Sequence, residues 1–100
     1  ERHTALQVAA LAAQFEMMRL LVEGRALLEA APETSGETAL ALTAGAGRWG
    51  SVRKLLELGA SPDAPRKEDG SRALTLAAEA GDLKIAEVLV RHGAALDLPG

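Results

Sequence analysis

Apolar residues run through this chain in short blocks, each closed by a glycine or a polar turn. The clearest block is Ala73-Leu74-Thr75-Leu76-Ala77-Ala78-Glu79-Ala80, a helix-forming run that meets Gly81. Glycine stops a helix cheaply because it takes the left-handed conformation without a Cβ clash. Asp82 can then cap a second helix from Leu83 to His92. Ile85, Ala86, Val88, Leu89 and Val90 give that helix one broad apolar face, and Gly93 ends it. The preceding stretch has the same rhythm: Thr38 as N-cap, a helix to Ala46, a turn at Gly47, a helix from about Trp49 to Leu58, a stop at Gly59. The first stretch carries it too, with Ala13 and Arg25 in place of the two glycines. Residues 31–37 and 64–71 hold Pro, Gly and charges, and read as turn segments.

The rhythm is a repeat. Thr4-Ala5-Leu6 returns at Thr38-Ala39-Leu40 and, with one change, at Arg72-Ala73-Leu74, a spacing of 34 residues each time. Six positions are identical in all copies: Ala5/Ala39/Ala73, Leu6/Leu40/Leu74, Ala10/Ala44/Ala78, Ala12/Ala46/Ala80, Leu21/Leu55/Leu89 and Ala26/Ala60/Ala94. All are Ala or Leu, so a stacking geometry repeats and no chemistry repeats with it. The predicted helices fall short of the ~12–15 residues at which an isolated helix becomes marginal in water, so stability must come from stacking. The pattern predicts an all-α solenoid, one segment over 1–100, with copies at about 1–37, 38–71 and 72–100. Leu21, Leu55 and Leu89 are expected at one equivalent buried point of the second helix.

Composition agrees. Twenty-one Ala and seventeen Leu stand against five Val, five Thr and one Ile, which favours helices over strands. Net charge is −3, with the acids concentrated in the first copy, and this gives no electrostatic footprint for nucleic acid or an anionic membrane. There is no cysteine, hence no disulfide framework or thiolate metal site, which fits a cytoplasmic or nuclear setting. No apolar run reaches the length of a membrane span. The chain opens abruptly in Glu1-Arg2-His3 and stops just after its third copy, so it is expected to be part of a longer protein.

Leu-Glu-Leu-Gly-Ala-Ser-Pro-Asp-Ala at 56–64 and Val-Leu-Val-Arg-His-Gly-Ala-Ala-Leu-Asp at 88–97 resemble the second-helix and β-turn signature of ankyrin repeats. Thr38-Ala39-Leu40 sits where that family has Thr-Pro-Leu-His, and the resemblance spans all three copies. The departures fall on that tetrapeptide, which in the family ties adjacent repeats by hydrogen bonds. Its Pro is Ala5, Ala39 and Ala73, its His is Gln7, Ala41 and Thr75, and its Thr is Arg72 in the last copy. The Asn common at the finger base is Glu29, Asp63 and Asp97.

The resemblance implies β-turn fingers between the helix pairs and non-catalytic binding of a protein or peptide. Family members bind through finger tips and the groove of the first helices. By register this nominates Glu1, His3, Thr34, Ser35, Glu37, Glu68, Asp69 and Ser71 on the fingers, with Leu11, Ala12, Glu79 and Ala80 on the helices. The excess of acid among them favours a basic or mixed-charge partner. A structural or regulatory arm of an enzyme carried elsewhere in the full chain is a second reading.

A third reading starts from Gly45-Ala46-Gly47-Arg48-Trp49-Gly50, which matches the Gly-x-Gly-x-x-Gly of dinucleotide-binding turns. Nucleotide or oligonucleotide binding there would use Trp49, Arg48, Arg53 and Lys54. Against it, Gly47 aligns with the interhelical stop Gly81, and the chain lacks the β-rich strands of such a fold. Trp49 aligns with Phe15 and Leu83, which reads as core. Met17-Met18 reads as helix packing. The charge run Arg66-Lys67-Glu68-Asp69 is either a solvated finger tip or a partner contact. His3 and His92 have no partnered carboxylate motif, and no catalytic set, metal site or cofactor is expected. Leu6 and Val8 to Ala13 are almost unbroken apolar in the first copy, and Ile85, Val88, Leu89 and Val90 give the last copy a broad apolar face. The ends are therefore expected to be covered by flanking repeats, a helix or a second chain.

Overall fold

The computed structural model describes residues 3–24, 28–31, 37–67 and 69–96. Each copy supplies two helices: α1 (Ala5–Leu11) and α2 (Phe15–Glu23), α3 (Ala39–Gly45) and α4 (Trp49–Glu57), α5 (Ala73–Ala80) and α6 (Leu83–Arg91). The helices of a copy pack on each other; α1, α3 and α5 lie side by side, with α2, α4 and α6 as a second layer. Among the described residues there is no strand.

Three of the six helices begin at a side-chain cap, whereas Gln14, Arg48 and Arg72 precede α2, α4 and α5 without capping them. The Thr4 hydroxyl accepts from the Gln7 N–H while the Gln7 side chain accepts from the Thr4 N–H, a reciprocal capping box. Thr38 caps α3 through the Ala41 N–H, and the Asp82 carboxylate caps α6 through the Ile85 N–H. The first helices end alike in every copy. The N–H groups of Gln14, Arg48 and Asp82 donate back to Ala9, Thr43 and Ala77 at 2.9, 2.8 and 3.0 Å. That closure needs a left-handed residue just before the donor. Gly47 and Gly81 supply it at φ 73° and 70°, but the first copy puts Ala13 there at φ 58°.

An alanine held left-handed costs about 1–2 kcal/mol. Ala13→Gly is therefore expected to stabilise the chain, by somewhat less than this because glycine gives up more chain entropy on folding. Gly81→Ala should destabilise it by a similar amount. Chemical denaturation of the two variants checks the opposite signs.

The core runs unbroken through the stack. Leu6, Met18, Leu40, Val52, Leu55 and Leu89 are its largest fully enclosed apolar side chains. Three expectations need correction. Leu55 and Leu89 are completely buried, each against the copy before it, but Leu21, in the first copy, is only half-buried. Trp49 is half-buried and packs against the core as predicted, whereas Phe15 and Leu83 at the same register are 41% and 70% exposed. Leu83 stands in the last copy, and Phe15 lies along Gly50, which offers it only a bare backbone. Of the two methionines, Met18 is enclosed and Met17 faces out.

Candidate functional site

The turn segments return to the helices and are fastened there by side chains that accept or donate across copies. Gln7 is buried, and its Nε2 donates to the Glu37 carbonyl at 2.7 Å while its Oε1 takes the Thr4 N–H at 3.0 Å. An amide has a donor and an acceptor, so it can serve both partners at once. The Glu37 carboxylate accepts the Lys67 N–H at 2.7 Å, tying the start of one copy to the next finger. Glu29 accepts the Ser61 N–H at 2.8 Å, and Asp63 accepts the Ala95 N–H at 3.0 Å. Both link a finger base to a backbone amide of the following copy. Arg72, standing where the pattern has Thr, donates from Nε to the Asp63 carbonyl at 3.0 Å.

The second finger is built over residues 66–71. The Arg66 N–H donates to the Ser71 carbonyl at 2.8 Å, and Gly70, left-handed at φ 74°, donates back to the Arg66 carbonyl at 2.9 Å. Asp69 accepts the Ser71 N–H at 2.9 Å and lies 3.6 Å from Arg66. Hydrogen bonding from Ser71, its backbone first, holds the Asp69 carboxyl below the usual carboxylate range, with Arg66 adding to it. The Arg66 side chain then reaches α3, where its Nε lies 2.8 Å from the place a Cβ on Gly45 would take.

The surface beside this finger is a strip of small residues. Ala12, Ala46 and Ala80 are all exposed, at one register along α1, α3 and α5. Leu11, Gly45 and Glu79 adjoin them, with Leu11 half-buried and the other two exposed. Of the four helix residues nominated from the sequence, Ala12, Glu79 and Ala80 are exposed and Leu11 is half-buried, all at the C-terminal ends of α1 and α5. The finger residues divide differently. Glu1, Thr34, Ser35 and Glu68 lie outside the described residues. The Glu37 and Asp69 carboxylates accept backbone N–H groups of Lys67 and Ser71, and Asp69 stays exposed. Ser71 is buried, with 9% of its surface exposed. His3 is half-buried, with Nδ1 enclosed and without a hydrogen bond. Lys67 and Arg66, seen in the sequence only as a charge run, frame the described finger.

The residues of the nucleotide reading lie on α4 or just before it, each with its own neighbours. Trp49 packs against the core, Lys54 lies 3.8 Å from Glu57, and Arg53 lines an outer cleft between α4 and α6 with Lys84 and Arg91. Among the described residues no group of three potential metal ligands assembles, and no helix is long and apolar enough to cross a membrane.

Comparison with known proteins agrees with the stack. A family model described as ankyrin repeats (3 copies) matches residues 25–99. A search of curated proteins returned no match. Among solved structures, the ankyrin repeat domain of Bcl-3, described as a unique member of the IkappaB protein family, is similar at 34% identity and a TM-score of 0.84. The similarity covers 96% of this chain and 42% of that one, so the chain spans less than half of the solved domain's length. With three stacked copies, left-handed stops and fingers tied across copies, and with that match over three quarters of its length, the chain belongs to the ankyrin-repeat family.

Proposed function

We propose that this chain is a non-catalytic protein-interaction module that holds a partner segment along the strip of first helices, beside the fingers. The observation that carries this reading is the exposure of Ala12, Ala46 and Ala80, identical in all copies and spared from the core. Three alanines in line let a partner backbone or apolar side chain approach closely, and the polar fingers give such a strip the rim typical of interfaces. The partner is a protein or peptide segment, apolar at its centre and basic or mixed in charge at its flanks, where Glu79 stands at one end of the strip. A cytoplasmic or nuclear setting and covered stack ends complete the reading.

The test is panning of a random peptide display library on the chain, followed by titration of the selected peptides. Ala46→Arg puts a long cation on an exposed site, so circular dichroism and melting should hold while affinity falls by at least about tenfold. Arg53→Glu on the outer layer should leave affinity unchanged. Peptides that bind the Ala46→Arg chain as tightly as the parent would move the site off the strip.

A further inference from the structure

The outer layer of helices carries a charge pattern that inverts between the first copy and the last. On α2 three register positions hold Glu16, Arg19 and Glu23, and Arg19 bridges both carboxylates at 2.7 Å. The same positions on α6 hold Lys84, Glu87 and Arg91, and on α4 Gly50, Arg53 and Glu57. Between α4 and α6 these residues border a cleft of about 460 Å³, with Arg53 and Glu57 on one wall and Lys84, Glu87 and Arg91 on the other. Val88, half-buried, lies among them. Arg53 and Glu57 stay exposed although copies flank α4 on both sides. Their register therefore faces the outside of the stack and not either end, and Glu87 and Arg91 share it.

The charges of this cleft do not cancel. Glu57 is engaged by Lys54 at 3.8 Å. Arg53, Lys84 and Arg91 have no ion pair among the described residues, so three uncommitted cations meet one uncommitted carboxylate, Glu87. In the first copy the same register is closed on itself by Glu16 and Glu23. Gathering like charge from two copies costs repulsion that a bound anion would offset. A phosphate monoester suits the cleft, because it carries about −1.5 to −2 charge near neutral pH and three strong acceptor oxygens. Guanidinium groups meet such oxygens two at a time. The lining has no Phe, Tyr or Trp on which a nucleotide base would stack. We propose that the cleft between α4 and α6 is a phosphate-binding site, held by Arg53, Lys84 and Arg91. The phosphate is borne on a side chain of a partner segment or is the free anion. None of these residues belongs to the first-helix layer, so the site is separate from the alanine strip.

NMR titration at fixed ionic strength tests this, with inorganic phosphate and with a blocked Gly-Gly-phosphoserine-Gly-Gly peptide as probes. Saturable shifts should fall on the α4 and α6 amides beside the cleft and on the Arg53 and Arg91 side chains. Arg53→Gln and Arg91→Gln should each weaken binding at least about fivefold. Glu87→Gln, which removes the opposing carboxylate, should tighten it at least about twofold. Arg48→Gln changes the net charge as much at an exposed site outside the cleft, and should leave affinity unchanged. All four substituted sites are exposed, so helix content should persist by circular dichroism. If an arginine variant loses it, the gain in Glu87→Gln decides. Tighter binding of the phosphopeptide than of inorganic phosphate identifies a phosphorylated segment as the ligand. Binding of inorganic phosphate at least as tight identifies the free anion, and both results uphold the site. Absence of saturable shifts with either probe overturns the proposal. So does equal binding of the unphosphorylated peptide, or a loss in Arg48→Gln as large as in Arg53→Gln. Ala46→Arg should leave phosphate binding unchanged, so the cleft and the alanine strip can fail separately.

Discussion

Leu55→Ala and Leu89→Ala should each remove ~2–5 kcal/mol of unfolding free energy, and Leu21→Ala only about 1 kcal/mol. All three are the same residue at the same repeat position, so the difference isolates the effect of a neighbouring copy. Leu55 and Leu89 have no exposed surface, and truncation leaves a cavity that the flanking helices cannot fill without shifting. Leu21 lines the open groove, where truncation loses only part of a buried side chain and opens no void. The larger loss is comparable to the whole stability of a small domain. Denaturant titration of the three variants should give this order. Equal losses at all three sites would mean that Leu21 is covered in the isolated chain.

Gln7→Leu should cost ~1–3 kcal/mol, because a leucine of similar size leaves the enclosed Thr4 N–H and Glu37 carbonyl without partners. Gln7→His, which restores the residue the family carries at this register, should recover part of that loss through a ring that can both donate and accept. Thermal denaturation ranks the three. Hydrogen exchange at the Thr4 amide reports the local break, and should accelerate in Gln7→Leu more than in Gln7→His.

Glu37 illustrates what the sequence showed and what it hid. As a charged residue before a helix it reads as a solvated finger acid, and reversing it would be expected to leave folding untouched. In the structure its carboxylate receives the Lys67 amide, so a reversal there disturbs the fold and is a poor probe of binding. Local features were legible: Thr38 and Asp82 cap where expected, and helix ends fall within a residue or two of the predicted stops. These depend on a few adjacent residues. The ties at Gln7, Glu29 and Asp63 span about thirty residues and end on backbone groups; register singles out the three side chains, but the backbone partners carry no residue signature. The burial of Leu21, Phe15 and Leu83 is hidden for a related reason: it is set by the copy next door, and the residue's own chemistry is silent about it. For the candidate site, register matches Ala12 with Ala46 and Ala80, all of them exposed, but says nothing of the burial of Ser71.

The carboxylates at the finger bases have a consequence for how such a chain can grow. Glu29 and Asp63 each grip the main chain of the following copy and read nothing of the side chain there, which is Ser at one site and Ala at the other. Every residue except proline presents the N–H they need. A unit inserted by gene duplication would find its mortar ready, whatever residue stood at the receiving position. Lengthening the array asks for no matched pair of mutations at these joints, and the receiving residue stays free to drift.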